Sequence, residues 1–406
     1  MPYEPTATLS GHTDSVRVLR FSPHGNYLAS GGDDGLILVF STDTWRMVAK
    51  IVNVSPVTAL LWHSAFPKTI MCGFHSGAVV TICLDSGDRD VAGRKIWTDT
   101  FNGPIKCVTS HPFGKTFAIA HGGDVTLLDQ TTISTWENLR KLPDPPEFSR
   151  NLPSPSVRAT HFTRNDRIIV CYLDHGIVCW DLATLGVLWR IRPRTCNIGY
   201  SAISPDEKHL AVSNLFDGLD WYSFTEHKLS HSVPCPINLQ NNVPIPVRFG
   251  ADGGIIIVGG SSGNVRILDS MTAETMQTLS HDGDFIQALD YYTAEDVSTI
   301  ATGVSELGTK TTVKIWKSVE EAVPQEFPPP GSREVPPPGS REVPPPGSRK
   351  VETKHRSYLQ VVIPILTVLL ATVYHLSVTG SQVALQEKFG ARLSAWRGGE
   401  SGPEVA

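Results

Sequence analysis

Fourteen histidines and seven cysteines are the side chains of this 406-residue chain best suited to catalysis or metal binding. Their spacing argues against both. Cys72, Cys83, Cys107, Cys171, Cys179, Cys196 and Cys235 stand singly in apolar runs, with no CxxC pair and no histidine at zinc-ligand spacing. They are expected to be free, buried thiols in a reducing compartment. His63, His111 and His161 adjoin aromatic or proline positions at strand ends, where core or turn roles are expected. No HExxH, GxSxG, Walker-type loop or GxGxxG opening a helix occurs. The glycine-rich "VGGSSGNV" (258–265) lies between two strand-like runs, which suits a hairpin turn and not a phosphate cradle. Asp34, Asp174 and Asp217 fall at hairpin turns, one per repeat, and are expected to face turn N–H groups instead of pairing for acid–base work. The expectation is a protein that is not an enzyme, with no cofactor, metal or small-molecule substrate.

Charge narrows the partners. The net charge is −5. Residues 320–406 hold nine basic and nine acidic side chains, so the deficit belongs to the first 319. An acidic folded part lacks the basic footprint that nucleic acid requires, and no nucleic-acid partner is expected.

The elements that carry these residues repeat. In "SGHTDSVRVLRFSPHGNYLASGGDDGLILVFS" (10–41), an apolar alternation is followed by "SPHGN", a second strand "YLAS", the tight turn "DDG" and a third strand "LILVF". Comparable third strands recur at "GAVVTICLD", "DVTLLD", "DHGIVCWD", "DGLDWYS", "GNVRILD" and "TTVKIWK". The seven units end roughly 42 to 52 residues apart, near the ~40–45 of a four-stranded blade. The pattern resembles the WD-repeat family over about Thr6 to Lys317. His12 after Gly11, Ser30 and Asp34 fall at that family's Gly-His, strand hydroxyl and turn aspartate; Asp174, Trp180 and Asp181 match in the fourth unit, and His281 and Trp316 in the seventh. The resemblance implies that such groups hydrogen-bond with a strand tryptophan, but in the first unit Phe40 stands at that position and has no N–H. It further implies an all-β, seven-bladed β-propeller of degenerate repeats across 1–319, with six or eight blades left open by the weaker units. The N-terminal "TATL" (6–9) is expected to close the ring on the last blade.

Two segments stand apart. "LPDPPEFSRNLPSPS" (142–156) is a proline-rich insertion carrying Pro143, Phe148, Arg150 and Pro155. It is expected to project from the ring, as a tolerated insertion or as a partner-binding loop. Residues 320–357 form a linker in which "PPPGSREV" is written three times, the last copy ending in Lys350. Triple prolines favour extended polyproline II and Gly-Ser supplies a joint, so a semi-rigid spacer is expected.

Tyr358 to Val378 is 21 residues without a formally charged side chain. That length crosses a ~30 Å hydrocarbon layer as a single transmembrane helix. Arg349, Lys350, Lys354 and Arg356 precede it, a bias that puts the propeller in the cytosol. The N-terminus has no signal-peptide pattern, and with 28 residues after the span the layout is that of a tail-anchored protein. The tail 379–406 spaces Leu385, Phe389, Leu393 and Trp396 for an interfacial helix, although Gly390 equally suits an irregular tail.

The expected function is a membrane-tethered, cytosol-facing scaffold, contacting lipid through its span and one or more cytosolic protein partners through its ring. The endoplasmic reticulum is expected before the mitochondrial outer membrane, because the tail lacks a dense basic cluster. An alternative is suggested by architecture alone. A cytosolic propeller ahead of one span resembles the endoplasmic-reticulum exchange factor for the small GTPase that initiates vesicle coats. A lesser alternative, a phosphoinositide-binding propeller, would carry paired arginines, and none occur here.

Overall fold

The computed structural model describes residues 2–84, 93–147, 152–195, 197–234, 244–281, 285–294, 297–305 and 311–319. The linker, the span from Tyr358 to Val378, the basic residues Arg349, Lys350, Lys354 and Arg356, and the tail lie outside the described residues. So do Phe148, Arg150, Cys196 and Cys235. Contacts divide the chain into units Met1–Gln325 and Glu326–Ala406, and all the described strands belong to the first.

Alternating apolar residues between turn signals produce seven antiparallel sheets of four strands. Blade 1 shows the pattern: an innermost strand Val16–Phe21, then Tyr27–Gly32, Leu36–Ser41 and an outer strand Met47–Val52. The tight turn between its second and third strands requires Gly35, at φ +74°, where a Cβ would stand 2.2 Å from the Asn53 carbonyl oxygen. The predicted third strands all form, at Leu36–Ser41, Ala78–Cys83, Asp124–Thr132, Gly176–Asp181, Gly218–Ser223, Asn264–Asp269 and Val313–Ser318. In most blades the second and third strands are buried nearly throughout, while the outer strands are largely exposed.

The core lies between blades, not at the centre of the ring. Seven apolar clusters fill the seven interfaces, from Val18, Ile37 and Val39 against Leu60, Ile70 and Cys72 between blades 1 and 2, to Leu19 and Leu38 against Ala301 and Ile315 between blades 1 and 7. Each buried Leu or Ile contributes about 1.5–3 kcal/mol, and no blade buries its faces without both neighbours.

The ring closes as the sequence suggests, with a longer strand. Tyr3–Leu9 pairs antiparallel with Val313–Ser318 as the outermost strand of blade 7, Leu9 opposite Val313 and Ala7 opposite Ile315. Pro5 sits at the register shift of this edge strand, where its missing N–H breaks no ladder bond. A second clamp reaches blade 6: Tyr3 N donates to Gln277 Oε1 (2.8 Å), and Gln277 Nε2 donates to the Tyr3 carbonyl (2.8 Å).

Removing residues 1–9 is therefore expected to lower the melting temperature of the whole propeller in one cooperative transition. Gln277→Ala, which breaks both clamp bonds, is expected to cost about 1–3 kcal/mol in denaturant unfolding. Unchanged midpoints for both variants would show that the N-terminal strand does not close the ring.

Candidate functional site

Blades 1 and 7 hold the resemblance residues in two incomplete but complementary networks. In blade 1, His12 Nε2 lies 2.8 Å from Ser30 Oγ, and His12 Nδ1 lies 3.1 Å from both Asp34 carboxylate oxygens. The carboxylate only accepts, so Nδ1 carries the proton and Nε2 accepts from the hydroxyl. Burial outweighs the pull of Asp34 and holds the imidazole pKa below its ordinary value, which keeps it neutral. Asp34 also accepts from Thr13 N (2.8 Å) and Leu36 N (3.0 Å), tying the turn down. Gly32 makes room for this cluster: a Cβ there would lie 2.6 Å from Asp34 Oδ1 and 2.7 Å from His12 Nδ1. In blade 7, Trp316 Nε1 donates to Thr302 Oγ1 (3.0 Å), and His281 Nε2 lies 3.3 Å from the Thr302 carbonyl. Thr302 occupies the register position of Ser30, opposite the residue two before the tryptophan.

Blade 4 differs. Trp180 is buried, but the register position that carries Ser30 and Thr302 in the other two blades is Val170, which has no hydroxyl. Asp181 caps the following turn, accepting from Thr184 N (2.8 Å) and Thr184 Oγ1 (2.7 Å), which holds its pKa low. Asp174 is half-buried in its turn. Asp217 departs from expectation. Asn214 Oδ1 takes the turn N–H groups of Phe216, Asp217 and Gly218 (3.0 Å each), which leaves Asp217 to accept from Arg194 Nη2 (2.6 Å) and Asn214 Nδ2 (2.7 Å).

The insertion after blade 3 is anchored to the ring at its described ends. Leu142 is buried in the seam between blades 3 and 4, its N–H on the Val125 carbonyl (3.0 Å). Pro143 is exposed, and Pro155 is half-buried with its carbonyl against Gly123. The apolar side chain of Leu142 anchors what composition alone marks as a surface excursion. His63, His111 and His161 are buried or half-buried as expected. Among the described residues no cluster of three metal-ligating side chains occurs, and Cys72, Cys83, Cys107, Cys171 and Cys179 are free thiols.

The candidate site lies in the ring's central channel. In five blades the innermost strand carries a register shift at one position, between Val16 and Val18, Val57 and Ala59, Ile105 and Cys107, Val157 and Ala159, and Ile286 and Ala288. A bulge inserts an unpaired residue and re-aims its side chain. Here the bulged residues are Arg17, Thr58, Lys106, Arg158 and Gln287, and all five line the channel together with Tyr200. This layer joins a cavity of about 610 Å³ on the side of Asp14, Asp33 and His75 to a deeper one of about 330 Å³.

The charges do not balance. Arg17 pairs with Asp33, whereas neither Lys106 nor Arg158 has an ion-pair partner among the described residues, and Arg158 Nε is buried without a hydrogen bond. Burial, then the like charges of Arg158 and Arg17, push the Lys106 ammonium pKa down. In the deeper cavity two guanidiniums share one acid: Arg248 Nε lies 3.2 Å and Arg20 Nη1 3.7 Å from Asp290 Oδ1. Burial and Arg248 lower the Arg20 pKa to about 10. Five cations thus face three acids, Asp14, Asp33 and Asp290, inside a domain that is acidic overall. Sequence reasoning misses this layer because its members lie up to 270 residues apart (17 to 287). A signal is present in the recurring start "VRV", "VTA", "IKC", "VRA" and "IQA", a polar residue between two apolar ones.

Residues 3–41 match the family model described as WD domain, G-beta repeat. The chain folds as a seven-bladed β-propeller whose first blade matches a WD repeat. Its fold is shared with the Cps50 (Swd1) β-propeller domain of Myceliophteria thermophila, at TM-score 0.63 and 17% identity over 78% of this chain and 99% of that one. The chain is also similar to Protein hir1 of Aspergillus fumigatus (24% identical over 225 residues, 52% of this chain and 19% of the relative). Protein HIR1 of Yarrowia lipolytica is 27% identical over 209 residues, 44% of this chain and 20% of the relative. The chain spans about a fifth of the length of these relatives.

One half-buried histidine offers a pH test. His161, whose Nε2 lies 2.8 Å from Ser201 Oγ, is held neutral by burial first and then by Arg248 and Arg20, with its pKa lowered from 6.5 to about 3. The unfolded chain takes up this proton below 6.5 and the folded chain does not. The associated stability is therefore complete above pH 6.5 and lost between there and about pH 3. Between pH 6.5 and about 5 it amounts to at most about 2 kcal/mol. His161→Gln is expected to show a shallower fall of melting temperature over that interval; an unchanged slope would contradict a neutral His161.

Proposed function

We propose that this protein is a membrane-tethered, cytosol-facing scaffold whose propeller gathers protein partners at its channel mouth. The observation that carries the reading is the closed ring itself. It presents a wide polar mouth with uncompensated side chains on a rigid frame, which suits docking. The tether rests on sequence: the uncharged stretch from Tyr358 to Val378, with Arg349, Lys350, Lys354 and Arg356 before it, suits a single span at the endoplasmic reticulum with the propeller in the cytosol. Among the described residues no helix is long and apolar enough to cross a membrane, and the proposed span lies outside them. The exchange-factor and phosphoinositide alternatives draw no support from the described residues.

Two measurements test the two halves. After alkaline carbonate extraction the full chain is expected in the membrane pellet, and Leu369→Arg with Leu370→Arg is expected to release it; wild-type protein in the supernatant would contradict the tether. Proximity labelling from the full chain is expected to mark cytosolic proteins that a control carrying only residues 320–406 does not. Identical labelled sets would contradict the scaffold.

A further inference from the structure

The geometry of the channel points to a narrower partner chemistry, and this inference rests on the scaffold reading. We propose that the channel mouth recognises a short acidic segment of a protein partner, whose carboxylates lodge among Arg17, Lys106 and Arg158.

The first support is aim. Arg17, Lys106 and Arg158 come from blades 1, 3 and 4 and share one structural device, the bulge at the start of the innermost strand. A single cation at a channel mouth is ordinary solvation. Three brought to one layer by the same local irregularity form a patterned charge.

The second support is imbalance. Lys106 and Arg158 form no ion pair among the described residues, Asp174 acting on Arg158 only from beyond ion-pair distance. Lys106 is held partly buried with Arg158 and Arg17 as its nearest charges, burial first and then these cations lowering its pKa. An entering anion relieves this crowding and is attracted further by the deeper pair Arg20 and Arg248, which Asp290 only half neutralises. Low local dielectric strengthens both effects relative to an exposed patch.

The third support selects a peptide over a compact polyanion. Asp14 and Asp33 stand on the outer side, with Pro56, Pro104 and Pro244 among the lining residues. Those acids repel a ligand charged on every side. An extended segment instead places carboxylates at the cationic layer and neutral or basic residues beside the outer acids. A lysine-rich tip would meet like charge at depth. Thr58 and Gln287 supply uncharged hydrogen-bonding groups in the same layer, and the cavity of about 610 Å³ leaves room for several side chains.

The test uses the full chain in detergent and a fluorescent peptide with two adjacent glutamates in a Gly-Ser background. A peptide with two lysines in their place, and inositol hexakisphosphate, serve as comparisons. The glutamate peptide is expected to bind and to weaken with added salt. Lys106→Gln with Arg158→Gln is expected to weaken it at least about tenfold, since two charge-assisted hydrogen bonds are lost. Because this double variant removes like-charge crowding, it is expected to melt no lower than wild type, which separates lost recognition from lost folding. Asp33→Asn frees Arg17 and removes an outer acid, so it is expected to tighten binding several-fold. Equal binding of the lysine peptide, an unaffected double variant, or binding of inositol hexakisphosphate without the glutamate peptide would each overturn the proposal. If the peptide fails while proximity labelling still separates the full chain from residues 320–406, the scaffold stands and partners dock elsewhere on the ring.

Discussion

The pairing of Tyr3–Leu9 with Val313–Ser318 is the constraint on which the rest of this molecule depends. Each blade is a four-stranded sheet that buries both faces against neighbours, so an open ring would leave two faces and one sheet edge in water. The closing strand completes blade 7 with residues from the start of the chain, and Leu9 and Tyr3 extend the apolar seams on either side of that blade. Its stability is therefore a property of the circle. The clamp between Gln277 and Tyr3 carries the same logic to blade 6, where two reciprocal bonds tie the closing strand to a sheet it does not join.

Closure also creates the channel. The innermost strands meet only around a common axis, and a bulge at the same point in five of them turns one side chain per blade inward. The apolar residues on either side of each bulge remain in the inter-blade seams, so stability and recognition draw on adjacent residues of one strand. Val16 and Val18 pack while Arg17 faces the channel; Ile105 packs while Lys106 does. Substitutions within the bulge layer can thus change the ring's partner chemistry with little disturbance of its core.

Much of the fold is legible in the sequence because its code is local. Alternation such as "LILVF" after "DDG" marks a third strand without reference to any other part of the chain, and its recurrence sets the blade count. His12 and Asp34 are legible as a pair because a turn brings residues 22 apart to 3.1 Å within one blade. Blade 7 is less complete in sequence: Trp316 is evident, but its acceptor Thr302 is a threonine on the adjacent strand, recognisable only once the register is fixed. Asp217 misleads because Asn214, three residues earlier, competes for the same turn N–H groups. Leu142 shows that a proline-rich loop can be anchored by one apolar side chain. The channel cations are invisible to a search along the chain, since a closed ring is what places Arg17 beside Lys106 and Arg158. A net charge of −5 points away from them. Composition averages over a surface, and a channel is the part of that surface the average hides.

Native-state hydrogen exchange tests the closed circle most directly. If the N-terminal strand completes blade 7, the amides of Ala7 and Leu9 will exchange as slowly as those of Ile315 and Val313, with the same denaturant dependence as the second strands of blades 1 to 6, because all open only with the ring. Rapid exchange of Ala7 and Leu9, with the other blades still protected, would show a ring that holds without its closing strand and would contradict the dependence of every blade on closure.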